Sequence, residues 1–296
     1  MNRTTTLNSL WMVVAAGCFA VMGECVKYAT VKYSAAELVF YRSLFGLVAI
    51  VLFTLPRHMS LATPHIRLHL SRSINGFIAM MLFFYTIPHL PLATALSLNY
   101  TSPIFLTIFL ALTMHEKVSL VLVTSILLGF VGVVLLLNPI LHWSFIASSG
   151  PGLVCGILTG FVYLQVTQLG RLNEPEWRTV FYFTLVCSIA SASWAMTQKF
   201  HPIAMADIPL LVGIGFAATI GQLTMTRAYR KGDCLTVASL AYCTVVFASL
   251  LDILLWHKHL STLNWLAILL IICAGLLSIL FTANKAAANK AEPSLL

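Results

Sequence analysis

Four ionisable residues stand within or at the edges of the first two long apolar runs of the chain: Glu24, Lys27, Glu37 and Arg42. A charge at the centre of a bilayer costs roughly 2.5–3.5 kcal/mol on insertion scales, so such residues are candidates for a role by default. Two roles fit. Glu24 or Glu37 paired with Arg42 would lock two helices together. A charged vestibule would instead bind the carboxylate or phosphate of a passing solute, or relay a proton. Arg42 is the stronger anion anchor, because its planar fork grips a carboxylate through two parallel hydrogen bonds. Glu24 and Lys27 are three residues apart and share a helix face.

A second group lies further along. Asn99, Tyr100 and Ser102 precede Pro103, and proline removes a backbone hydrogen bond and frees a carbonyl. A kink there would present polar groups to a solute, with Tyr242 as a second aromatic hydroxyl. Tyr85, Tyr163, Gln165 and Gln222 add polar groups at depth, where helix–helix hydrogen bonding is the competing role. Asp252 reads as a solvated helix end pairing with Lys258. The chain shows no HExxH and no Walker A motif, and no convincing intramembrane Ser–His pair or Asp-rich metal site. The seven cysteines form no CxxC, and His257 and His259 lack further ligands. No catalytic residue, metal or cofactor is expected, and the chain is expected not to be an enzyme.

The elements that must position these residues follow from composition. Of 296 residues, 59% are hydrophobic and 9% charged, whereas a soluble domain carries roughly 25% charged. The solvent for most of this chain is therefore lipid, and spanning it takes about 20 helical residues. Apolar runs of that size predict spans near 9–29, 35–55, 71–88, 91–113, 118–138, 150–168, 179–197, 207–228, 233–256 and 262–282. Lipid offers backbone groups no partner, so the spans are helices; a barrel would show short alternating segments instead of solid runs such as Val133–Leu137. Pro88-His89-Leu90-Pro91 is so short that spans three and four must form an antiparallel pair. The first apolar run continues past Val21 with no small-residue cleavage pattern, so it is expected to stay as the first span.

Basic residues set the orientation. With the N-terminus inside, the inner segments hold twelve of the 17 Lys and Arg, Arg67 and Arg72 among them. The outer segments hold Lys27, Lys32, Lys199 and Lys258. That bias predicts both termini in the cytoplasm. A net charge of +8 arranged this way marks topology, not nucleic-acid binding.

The chain also repeats itself at an offset of 142 positions. Thr94, Ser97, Leu98, Tyr100, Phe105, Leu112, His115 and Ser119 fall on Thr236, Ser239, Leu240, Tyr242, Phe247, Leu254, His257 and Ser261. The match lays span four on span nine, giving two units of five. Five is odd, so the units insert in opposite senses. The expected fold is an all-α membrane protein of ten transmembrane helices in two inverted five-helix repeats, 1–142 and 143–284, with a disordered cytoplasmic tail at 285–296. Gly129 and Gly132, and Ala274 and Gly275, read as close-packing positions.

The residues Glu37-Leu-Val-Phe-Tyr-Arg42-Ser, Leu90-Pro91-Leu92-Ala93-Thr94-Ala95 leading to Tyr100-Thr-Ser-Pro103, and Glu116 followed by Gly129-Phe-Val-Gly132-Val resemble the EamA type of the drug/metabolite transporter superfamily. The resemblance covers nearly the whole chain. It implies ten helices around a central cavity and export or exchange of metabolites such as amino acids, nucleotide-like compounds or drugs. The Lys27–Arg42 stretch is similar to a subgroup that includes S-adenosylmethionine carriers, which would make the chain an importer. The second half departs from the pattern: Lys258 stands where Glu116 predicts an acid, and Val245 where Pro103 predicts a proline.

The expected function is therefore a secondary transporter of small metabolites in the bacterial cytoplasmic membrane, with lipid around it and a small-molecule substrate inside it. Its expected contacts are Arg42, Tyr85, Asn99, Tyr100, Tyr163, Gln222 and Tyr242, with Glu24, Lys27, Glu37 and Pro103 in gating or charge clusters. Proton coupling and a homodimer are left open. The alternatives are an uptake carrier and a non-transporting membrane component.

Overall fold

The computed structural model describes residues 3–86, 89–90, 92–114, 118–138, 146–196, 201–257 and 259–291. Glu116, Lys258, Lys199 and the two prolines Pro88 and Pro91 lie outside these, so the acid–lysine departure, the Asp252–Lys258 pairing and the tight proline connection are not described.

Among the described residues all regular structure is helical. The helices are α1 (Arg3–Ser9), α2 (Trp11–Ala29), α3 (Ala35–Thr54), α4 (Ile66–Thr86), α5 (Leu92–Asn99), α6 (Ser102–Thr113) and α7 (Leu120–Leu137). They continue with α8 (Ile146–Arg171), α9 (Glu176–Ala195), α10 (Ile208–Lys231), α11 (Cys234–Ala241), α12 (Cys243–Trp256) and α13 (Thr262–Ala291). Among the described residues, eight rods are long and apolar enough to cross a membrane, counting α1–α2, α5–α6 and α11–α12 as one rod each. The ten predicted spans differ from these at α4 and α9. Both are of spanning length, but α4 carries Arg67, His69, Arg72 and Asn75, and α9 carries Glu176 and Arg178. The protein is thus a multi-pass helical membrane protein.

Local sequence sets several boundaries. Ser34 caps α3 through a capping box: its hydroxyl accepts from the Glu37 amide, and the Glu37 carboxylate accepts from the Ser34 amide at 2.8 Å. Asp233 caps α11 by accepting from the Thr236 amide at 2.9 Å. α5 and α6 break at Tyr100–Thr101, where Pro103 cannot donate to a preceding turn. α11 and α12 break at Tyr242 without a proline. α13 runs on to Ala291; alanine is the strongest helix former, and residues 285–291 are rich in it. Residues 292–296 are outside the description.

Packing follows a pattern of exchange. α2 lies on α10 and α12, while α8 lies on α4 and α6; α3 lies on α9 and α10, while α9 lies on α3 and α4; α7 lies on α13. The expected pairing of spans three and four is minor, since α4 packs chiefly on α8 and α9. Small residues set the closest approaches. A Cβ on Gly132 would stand 2.9 Å from the Ala267 carbonyl oxygen across the α7–α13 contact. One on Gly160 of α8 would stand 2.8 Å from the Ser102 carbonyl oxygen of α6. Without a hydrophobic drive between helices in lipid, such backbone approach supplies the dispersion contact that holds them. Ser125 adds a polar tie, donating to the Ala274 carbonyl at 2.6 Å beside the Ser239 hydroxyl at 2.9 Å.

Candidate functional site

Two polar clusters occupy opposite ends of the bundle. At the end where α2 finishes and α3 begins, Lys27 pairs with Asp252 at 2.9 Å and lies 3.8 Å from Glu24. The Lys27 ammonium sits 4.4 Å over the Trp256 ring, whose indole N–H donates to Glu24 at 2.9 Å. Glu37, 1% exposed, accepts from the His201 amide at 2.6 Å and faces its Nδ1 at 3.0 Å. Neither acid meets Arg42, so the expected Glu24/Glu37–Arg42 lock gives way to partners more than 150 residues away in sequence.

At the other end, Glu174 lies in the α8–α9 connection, 4% exposed. It accepts from the Thr63 hydroxyl and from Arg178 at 2.7 Å, and His69 Nε2 is 3.4 Å away. Arg178 and the Tyr182 hydroxyl also donate to the carbonyls of Ser60 and Leu61, which straps that loop onto α9. Burial pushes the Glu174 carboxyl up, but the hydrogen bonds from Thr63 and Arg178 and the Arg178 charge outweigh it and hold the pKa below the ordinary carboxylate value.

Between these ends lies a cavity of about 200 Å³. α2 contributes Phe19, α3 Arg42, α4 Arg72, Gly76, Ala79, Met80 and Phe83, α5 Asn99, α8 Cys155, Thr159, Val162 and Tyr163, α9 Phe183, and α10 Gln222 and Met225. Four of the seven expected contacts converge here: Arg42, Asn99, Tyr163 and Gln222. Asn99 Oδ1 accepts from Thr159 at 3.3 Å and sits 3.4 Å from the Cys155 sulfur. Tyr163 stacks on Tyr229 with ring centroids 4.8 Å apart.

The other three lie elsewhere. Tyr85 is 55% exposed and stacks on His89, so it belongs to a helix end. Tyr100 and Tyr242 face each other at 6.2 Å in the core beside the two helix breaks, and Tyr242 is fully buried. Gln165 is interhelical glue, donating to Ser71 at 2.8 Å.

The residue that sequence reasoning misplaced is Arg72. Taken as a loop charge at the mouth of span three, it lies on α4, whose helix begins at Ile66, about 9 Å earlier along the axis. It is 1% exposed. Its guanidinium lies 4.1 Å over the Phe183 ring and reaches the Gln222 carbonyl oxygen at 3.4 Å, while Nε and Nη1 have no partner. Among the described residues, Arg42 reaches the Met22 sulfur at 3.8 Å. Among the described residues no carboxylate lies within ion-pair distance of either arginine.

Comparison with known proteins places this architecture. Residues 6–138 and 151–280 each match the EamA-like transporter family. The chain belongs to that family. It is 28% identical over 249 residues to a pseudopaline exporter of Pseudomonas aeruginosa, covering 84% of this chain and 87% of that protein. It is 26% identical to a riboflavin transporter of Vibrio cholerae over 76% of each chain. It is 19% identical to an S-adenosylmethionine uptake transporter of Rickettsia bellii, over 97% of this chain and 98% of that one. A solved crystal structure superposes with a TM-score of 0.82 at 18% identity, over 96% of this chain and 99% of the other, and shows the same fold. As a member of this family the chain is a small-metabolite transporter.

Proposed function

We propose that the chain is a secondary carrier of the bacterial inner membrane. It exports or exchanges a polar metabolite by alternating access around the central cavity, and performs no covalent chemistry. The observation that carries this reading is the convergence of polar side chains from α3, α4, α5, α8 and α10 on one central cavity. Ten spans form two inverted repeats, about 1–142 and 143–284, with both termini in the cytoplasm. Three features support this. The helix breaks at Tyr100–Thr101 and Tyr242 stand at positions matched by the sequence repeat. The main helix packings exchange when α2–α7 are swapped for α8–α13: α2 on α10 and α12 becomes α8 on α4 and α6, and α3 on α10 becomes α9 on α4. α4 and α9, whose repeat-related counterparts are α10 and α3, each pack on other helices, so their polar residues find protein partners, as His69 and Arg178 do at Glu174. Discontinuous helices at corresponding positions of two halves are a feature of carrier sites, where rocking of one half against the other exposes the site to each side in turn.

The named relatives include both an exporter and an uptake transporter. Export is the direction proposed here; uptake is the second reading. Untargeted metabolite profiling of cells with and without the chain tests the function. A small set of solutes should accumulate in the cytosol of cells lacking it and move in proteoliposomes made with it. Identical profiles, and no saturable flux of any candidate solute, would overturn the reading. Reporter tags on the two chain ends emerging on opposite faces would overturn the span count.

A further inference from the structure

Two guanidiniums share the central cavity with no counter-ion among the described residues. Arg72 is 1% exposed with Nε and Nη1 unpartnered, and Arg42 has no oxygen partner among the described residues. They lie close enough to act on each other and on the Cys187 thiol electrostatically. An uncompensated buried charge is strongly destabilising, and two like charges facing one space compound the cost. The Phe183 face and the Gln222 carbonyl oxygen relieve Arg72 only in part. The arrangement becomes favourable once an anion enters, because each guanidinium then forms a charge-assisted, bidentate contact out of water.

The remaining walls describe the rest of the ligand. Phe19, Phe83, Met80 and Met225 are apolar and adaptable, and Thr159 and Asn99 add neutral hydrogen bonding. We propose that the cargo is an organic dianion: two carboxylates, or one phosphate monoester, on an apolar body, with Arg42 and Arg72 gripping the charged end. This rests on the carrier reading, whose cavity it specifies. It also accounts for the cavity's lack of acids, since a carboxylate there would occupy the arginines and compete with cargo.

The test is binding to the full-length protein purified in detergent at about pH 7.5, where carboxylates are ionised. Four probes share a phenyl body: phenylsuccinate, phenyl phosphate, the monoanion 3-phenylpropionate, and the neutral phenylsuccinamide. At least one dianion should raise the thermal midpoint saturably and bind ~10-fold or more tighter than the monoanion and the diamide, the size of one lost charged contact. Whichever dianion binds better identifies carboxylate or phosphate chemistry. Arg42→Gln and Arg72→Gln should each weaken that probe ~10-fold or more, and Arg72→Lys, which keeps the charge and loses the fork, should fall between. The proposal is overturned if neither dianion binds, if the diamide binds as well, or if the folded Gln variants keep the wild-type affinity. Metabolite-dependent flux that survives any of these outcomes would leave the carrier reading standing and sink the dianion alone.

Discussion

The charges at the two ends of the bundle and those at its centre obey opposite rules. At the ends, Lys27 meets Asp252, Glu37 meets His201, and Glu174 meets Arg178. In the middle, Arg42 and Arg72 meet no acid among the described residues. A paired charge holds elements together and is quenched by doing so. An unpaired charge on a cavity wall retains its capacity to bind, at a cost in stability. The ends are built to hold helices and loops in place, and the centre is built to receive something.

The largest effect expected from this contrast is at the centre. Arg72→Leu should abolish flux, a loss of ~100-fold or more, because a buried charged contact to cargo is worth ~2–5 kcal/mol. The same change should raise the thermal stability of the empty protein, since it removes an uncompensated buried charge. Flux assays in liposomes and calorimetry on one preparation check both signs. A drop in stability would class Arg72 with the end clusters instead.

Gly160→Ala comes next. Its Cβ would meet backbone of α6 at 2.8 Å, so α8 must shift away from the broken helix. A loss of ~1–3 kcal/mol is expected from overpacking. Reversible unfolding in denaturant measures it, and a neutral result would show that the α8–α6 approach is looser than described.

Glu174→Gln should cost about 1–2 kcal/mol, the value of charged hydrogen bonds exchanged for weaker neutral ones. The pH dependence has a definite sign. The folded pKa of Glu174 is depressed, so its stabilisation is complete above the unfolded carboxylate pKa of about 4.3 and is lost as pH falls through the lower folded value. Thermal midpoints of the wild type should drop towards those of the variant in that acidic window. A parallel acid response in the two proteins would remove Glu174 from the end cluster. The smallest effect belongs to Lys27→Met. Its side chain is 49% exposed, so the pair with Asp252 is worth less than about 1 kcal/mol and should weaken further in salt.

The linear sequence, through composition and run length, determined that this chain is helical and lives in lipid, because those properties sum over many residues and do not depend on partners. Pro103 made the first helix break legible, whereas nothing at Val245 signalled the second, which falls at Tyr242, the repeat-related counterpart of Tyr100. Arg42, Asn99, Tyr163 and Gln222, each a polar group within an apolar run, line the cavity, since such a group has few other places to go.

Direction around each helix axis was not readable. Tyr85 lies on α4 two residues from Phe83, a turn of about 200°, and so points away from the cavity that Phe83 lines. Nor was the identity of distant partners. Glu37 looked like a partner for Arg42, five residues away, but the fold brings His201 to it from 164 positions along the chain. Arg72 shows the limit most clearly. Near the edge of an apolar run it reads as a loop charge, and only the packing of α4 against α8 and α9 buries it beside Phe183. A sequence fixes which residues can afford to meet lipid; which charges are left facing one another across a shared space is decided only when the helices pack.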